Sequence, residues 1–162
     1  MFFLKAFLRG NLKQSQGFTL IELLVVMIIV GVLGVTALPN FVKQVGKARE
    51  TEAKNFLGAI TYAQQAYHFE TQTFASQVSQ LGIQINPEYY NYPDPATADA
   101  TKVLHKAVVT NPTNDRVRNY AVGVYYNNSG RYSTTVCQSD DIGTAATAGA
   151  TSGTCADGKV IR

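Results

Sequence analysis

Residues 18–38 read FTLIELLVVMIIVGVLGVTAL, 21 positions with a single ionisable side chain, Glu22, and with Gly17 immediately before them. As a helix rising ~1.5 Å per residue, this run spans ~30 Å, the thickness of a bilayer's hydrocarbon core. The stretch is therefore expected to lie in a membrane. A charged residue inside such a helix costs roughly 2.5 to 3.5 kcal/mol on insertion scales, so Glu22 is expected to serve something other than insertion.

Upstream stands MFFLKAFLRGNLKQSQG, residues 1–17. Phe3, Leu4, Phe7, Leu8 and Leu12 recur at helical spacing beside Lys5, Arg9 and Lys13. That pattern suits a short basic amphipathic helix on an anionic membrane surface, or simply the charged flank of an anchor. An ordinary secretory signal has a short apolar region followed by its small-residue cleavage site. Here the order is reversed, and a cut after Gly17 would discard the basic flank while keeping the apolar helix. Lys5, Arg9 and Lys13 also supply the whole excess of 14 Lys+Arg over 11 Asp+Glu. The neutral remainder argues against a nucleic-acid binder held by bulk electrostatics. Lys43, Lys47 and Arg49 balance them on the far side of the apolar run, so counting cations does not orient the span.

The segment GFTLIELLVVMIIVGVLGVTALPNF resembles the amino-terminal signature of type IV prepilins, which the pseudopilins of type II secretion share. Gly17, Phe18, Thr19, Leu20, Glu22, Leu23 and Pro39 fall where that family has them, and the general look is closest to pilins of cyanobacterial type. The resemblance implies cleavage between Gly17 and Phe18 by an inner-membrane prepilin peptidase, N-methylation of Phe18, and a leader on the cytoplasmic side. It also implies that Glu22 guides subunits into a growing filament. A free Phe18 amine and the Glu22 carboxylate are opposite charges one helical turn apart, able to neutralise each other within a chain or between staggered neighbours. Both arrangements stay open. Gly31 and Gly34 each weaken a helix by roughly 1 kcal/mol relative to Ala, and Pro39 removes a backbone donor. These three suit either a kink or the ordinary Gly and Pro content of membrane helices. In assembled pilins the matching stretch loses helicity.

Residues 39–74 continue as an amphipathic helix whose stripe runs through Phe41, Val45, Ala48, Phe56, Ile60, Ala63 and Tyr67, ending near Thr73. The apolar stripe keeps no heptad for three repeats, which places a coiled coil well below this reading. Phe74 to Ala100 reads as a connecting loop with Pro87, Pro93, Pro95 and three tyrosines, Tyr89, Tyr90 and Tyr92, suited either to an exposed adhesive surface or to covering a sheet edge. One turn of helix is expected at Ser76–Leu81. Strands are expected at 103–109, 120–126 and 131–136, with Asn127-Asn128-Ser129-Gly130 as a hairpin loop. The fold class is α+β: a long N-terminal helix packed on a small antiparallel sheet.

Cys137 and Cys155 are the two cysteines. They could be free thiols, but a domain outside the cytoplasm, as the resemblance implies, favours a disulfide closing a C-terminal loop of the kind pilins carry. Residues 138–154 have Ile142 as their only large aliphatic side chain, so their order is expected to come from that closure alone. His68 and His105 lack ligand-spaced partners and are expected to be surface or packing residues. Asp140, Asp141 and Asp157 are expected to be solvated loop carboxylates and not a calcium site. No metal, cofactor or catalytic residue is expected, and the chain is not expected to be an enzyme.

The units expected are a leader (1–17), a membrane and filament-core helix (18–38), its amphipathic continuation (39–74) and a globular part with the cystine loop (75–162). The function implied is a structural subunit of a type IV pilus, stored in the inner membrane and then polymerised with copies of itself into an extracellular filament for motility, adhesion or DNA uptake. Its partners would be the prepilin peptidase/methyltransferase and the pilus assembly machinery, with nucleic acid involved only indirectly. The alternatives are a secretion pseudopilin or minor pilin, and, in a different class, a membrane-anchored periplasmic binding module.

Overall fold

Residues 17–161 are described in the structure, a computed structural model. The amphipathic leader expected at 1–17 lies outside the described residues except for Gly17. The chain divides into two units, Met1–Phe41 and Val42–Arg162.

In the first unit the helix α1, Leu20–Thr71, begins. Thr19 stands at its N-cap: its Oγ1 accepts the Glu22 backbone N–H at 3.3 Å, and its carbonyl accepts from Leu23 N–H at 3.2 Å. The spacing Thr-x-x-Glu is that of a capping box, which satisfies donors the first turn would otherwise orphan. Every described side chain of this unit is exposed.

The second unit holds the rest of α1 and the sheet. The strands are β1 (Tyr90–Asn91), β2 (Thr97–Ala98), β3 (Lys102–Val109), β4 (Tyr120–Tyr126), β5 (Tyr132–Gln138), β6 (Thr147–Ala148), β7 (Cys155–Asp157) and β8 (Lys159–Ile161). All pairings are antiparallel, in the order β1-β3-β4-β5-β8, with β2 also on β3 and a separate β6-β7 pair. A 3-10 turn covers Val78–Leu81, and a short helix α2, Pro112–Asp115, follows β3.

Strand alternation gives the sheet two faces, and both are covered. On one, Ala107, Val109, Tyr120 and Val122 meet Ala53, Leu57 and Ile60 of α1, with Val136 and Ile161 at the margin. Burying Leu57 or Ile60 contributes roughly 1.5 to 3 kcal/mol each. On the other, Ala121, Cys137 and Leu104 are covered by Ala146, Ala148 and Cys155 of the C-terminal loop. Gly123 opens this second face. A Cβ there would run into the ring of Tyr125, two residues on, whose hydroxyl donates to the Gly149 carbonyl at 2.7 Å.

Three expectations need correction. The stripe of α1 that meets the sheet is rotated from the expected one: Gly46, Ala53, Leu57, Ile60, Gln64 and His68 are buried, Phe41 and Ala48 are exposed, and of the expected set only Ile60 is buried. The inward polar pair Gln64 and His68 hid the true face, because an apolar-only reading skips them. The loop 138–154 is ordered by more than closure, through the burial of Ala146 and Ala148 and through hydrogen bonds. Gly153 N–H donates to Thr135 Oγ1 at 2.6 Å, and Asn119 Nδ2 donates to the Thr144 carbonyl at 2.6 Å. Finally, β1 and β2 lie in the stretch read as a loop, and β6, β7 and β8 in or beyond the cystine loop. Strands of two or three residues carry no period to read.

Candidate processing and assembly site

Gly17 is exposed, and a Cβ built on it would meet no heavy atom of the described residues within 4 Å. Among the described residues, nothing in the fold requires glycine at that position. Phe18 is 86% exposed, and every large apolar side chain from Phe18 to Leu38 is at least 46% exposed. An uncovered apolar surface of this length is not stable in water, and it is covered by lipid or by other protein. Among the described residues, α1 is the one helix long and apolar enough to cross a membrane.

Glu22 occupies the first turn of α1. There a carboxylate is favoured by the helix dipole, by roughly 0.3 to 1 kcal/mol in an exposed setting. This local role was missed in the sequence reading, although the Thr19-x-x-Glu22 spacing signals it. In the uncut chain the Phe18 nitrogen is a peptide amide, so the charge that would pair with Glu22 exists only after cleavage. Gly31, Gly34 and Pro39 lie within the bounds of α1, and a Cβ on either glycine would meet nothing within 4 Å.

The cysteines are joined: Cys137 and Cys155 form a disulfide with Cα atoms 5.9 Å apart. Cys137 is fully buried on the second face of the sheet. Of the two readings open for His68 and His105, surface or packing, the structure gives packing: both are buried. The His68 ring lies 4.3 Å from Phe74 and 4.5 Å from Tyr126, centroid to centroid, while its Nδ1 is 2.8 Å from the Tyr132 hydroxyl and its Nε2 is 2.9 Å from the Ala100 carbonyl. Since a carbonyl only accepts, Nε2 carries the proton and the tyrosine donates to Nδ1.

Gln64 ties the end of α1 to the chain after it. Its side-chain amide donates to the Ala75 carbonyl at 3.0 Å and accepts from Ala75 N–H at 2.9 Å. Its second N–H points to His105 Nε2 at 2.8 Å, which leaves the His105 proton on Nδ1, buried and without a partner among the described residues. Burial lowers the His105 pKa from 6.5 to about 4. Tyr90 and Tyr92 are buried beneath the sheet edge rather than displayed, Tyr90 donating to the Arg118 carbonyl at 2.9 Å. Burial raises their phenol pKa values. Asp140, Asp141 and Asp157 are exposed, and among the described residues no group of three or more His, Cys, Asp or Glu is placed to hold a metal ion.

Two family models match the chain: type IV pilin-like G and H over residues 50–158, and the prokaryotic N-terminal methylation motif over residues 12–38. The chain is 36% identical over 70 residues to the type IV major pilin protein PilA of Myxococcus xanthus, covering 43% of this chain and 32% of that protein. It is 35% identical over 72 residues to the type II secretion system core protein G of Pseudomonas aeruginosa, covering 44% and 49%. To the type II secretion system core protein G of Vibrio cholerae it is 27% identical over 115 residues, covering 71% of this chain and 62% of that protein. The matched stretches span from about a third to under two thirds of these relatives' lengths. With a methylation motif over the apolar helix and a pilin-like model over most of the folded unit, the chain belongs to the type IV pilin-like family.

Proposed function

We propose that the chain is a structural subunit of a type IV pilus, made as an inner-membrane precursor, cut after Gly17, methylated on Phe18 and polymerised with copies of itself into an extracellular filament. The observation that carries this reading is the helix surface from Phe18 to Leu38, apolar and uncovered along its whole length, in a chain whose second unit has its own buried core. The bilayer covers that surface in the precursor, and neighbouring helices cover it in the filament. Glu22 is then the group that neutralises the new Phe18 amine on transfer from one setting to the other. The kink residues Gly31, Gly34 and Pro39 soften the helix so that it can adjust to its neighbours. The methylation motif supports the processing step, and the printed name of the Myxococcus relative supports the pilus. The peptidase/methyltransferase and the assembly machinery are the partners this life cycle needs.

A second reading, a type II secretion pseudopilin, is supported by the longer alignment with the Vibrio core protein G. The proportion of the chain in fibres sheared from intact cells separates the two. A major pilin dominates that fraction, whereas a pseudopilin is absent from it or a trace component.

A further inference from the structure

The end of the second unit that follows the membrane segment in sequence carries three cations without carboxylate partners among the described residues. Lys43 and Lys47 are exposed on α1, and the backbone carbonyl of Arg116, which caps α2, lies 3.3 Å from where a Cβ on Gly46 would sit. Arg116 therefore stands at the same level of the helix as the two lysines. The carboxylates nearest to this level are engaged: Asp115 pairs with Arg49 at 3.0 Å, and Glu50 accepts the Arg118 backbone N–H at 3.1 Å. Arg49 also lies over the Tyr89 ring at 4.5 Å. Among the described residues Arg49–Asp115 is the only ion pair, so Lys43, Lys47 and Arg116, like the other described Lys and Arg side chains apart from Arg49, carry charge that no carboxylate neutralises. Asp140 and Asp141, in the loop whose Gly143 approaches Pro112 of α2, are the other acidic groups near α2, and both are exposed to solvent.

We infer that Lys43, Lys47 and Arg116 form a docking surface for an anionic lipid headgroup layer, which holds the folded unit against the bilayer before assembly. This rests on the membrane-stored precursor proposed above. Lys43 is five residues beyond Leu38, so whatever course the chain takes, its Cα is within about 18 Å of the end of the apolar run. Gly46, whose neighbour in the fold is Arg116, is eight residues beyond Leu38, so its Cα is within about 29 Å of the end of the apolar run whatever course the chain takes. All three cations are thereby confined near any membrane that holds residues 18–38, at a local concentration a soluble partner cannot match. A Lys or Arg near an anionic surface contributes about a five-fold gain in the docked population. Extraction into a filament must undo this contact, so the surface sets how readily the precursor is released.

The test is amide hydrogen exchange of segments 42–50 and 111–118 in the full chain, reconstituted in nanodiscs of phosphatidylcholine with or without phosphatidylglycerol. Docking predicts slower exchange of both segments in the phosphatidylglycerol discs. It also predicts loss of that protection in high salt, and a decrease of about five-fold for each of Lys43→Gln, Lys47→Gln and Arg116→Gln. Equal exchange in the two lipids, with residues 18–38 protected in both, overturns the docking surface and leaves the proposed function standing. Protection of 111–118 by inorganic phosphate added to phosphatidylcholine discs overturns the assignment to a lipid surface. Exposure of residues 18–38 in both kinds of disc overturns the membrane-stored precursor and this inference together.

Discussion

At Glu22 an observed position and a proposed role fall on one carboxylate. The structure places it in the first turn of α1 after Thr19, where it favours the helix start, and cleavage would give it a cationic partner at Phe18. The capping role survives substitution with modest loss, because the dipole interaction is weak at an exposed helix end. The proposed pairing role would not, because an amine buried among apolar helices without its counter-charge costs about 3 kcal/mol, roughly a hundredfold in subunit affinity. Glu22→Ala is therefore expected to insert in the membrane at least as well as the natural chain and to yield roughly a hundredfold less filament. Filament yield and membrane content measured in the same cells check this. Gly17 makes a different demand. A side chain at this position meets nothing in the fold, so Gly17→Leu should leave helix content unchanged while abolishing cleavage, as gel mobility of the membrane fraction would show. His105 makes the soluble unit acid-sensitive. Its pKa falls from 6.5 to about 4 on burial, so protons bind the unfolded chain first. The His105 contribution to stability is expected to be full above pH 6.5 and to decline as the pH falls toward 4, by about 3 kcal/mol once both values are passed. His105→Gln should flatten that part of the profile in urea unfolding of the detergent-solubilised chain, whatever it does to stability at neutral pH.

Among the elements, the long helix and the three long strands were legible because each repeats a period over several turns or pairs. The expected strand at 120–126 coincides with β4, and the expected ends of β3 and β5 differ by one or two residues. The core-facing side of α1 was harder to read, since Gln64 and His68 face inward and are satisfied by Ala75, His105, Tyr132 and Ala100. Partners so distant in sequence leave no local signal. The C-terminal loop was under-read for a related reason: its order comes from small residues and backbone hydrogen bonds, neither of which registers as hydrophobic pattern. The disulfide, expected between Cys137 and Cys155, is present and joins β5 to β7 over the second face. In the chain-entropy model, a closure of this length contributes roughly 3 kcal/mol. Cys137→Ser should lower the stability of the soluble unit by roughly 2 to 4 kcal/mol and open the 139–154 segment to protease, leaving membrane insertion unchanged. The hydrogen bonds to Thr135 and Asn119 predict that this segment loosens without unfolding the sheet. An unchanged melting temperature and cleavage pattern after reduction would show that the bridge is not a staple.

On the scale of the whole molecule, the chain joins a helix that cannot remain uncovered in water to a folded unit that can. In the life cycle proposed, two environments cover the same surface in succession, a bilayer and a bundle of like helices. The apolar run alone could not distinguish such a subunit from a simple membrane anchor. The Gly17-Phe18 boundary and the lone Glu22 made the difference, because an anchor needs neither. The most direct test of this account is the intact mass of the chain recovered from fibres sheared from cells. The account predicts a polypeptide beginning at Phe18, one methyl group heavier than the bare chain, with Cys137 and Cys155 still joined. A chain that begins at Met1, or one found in the membrane and never in the fibres, would contradict it.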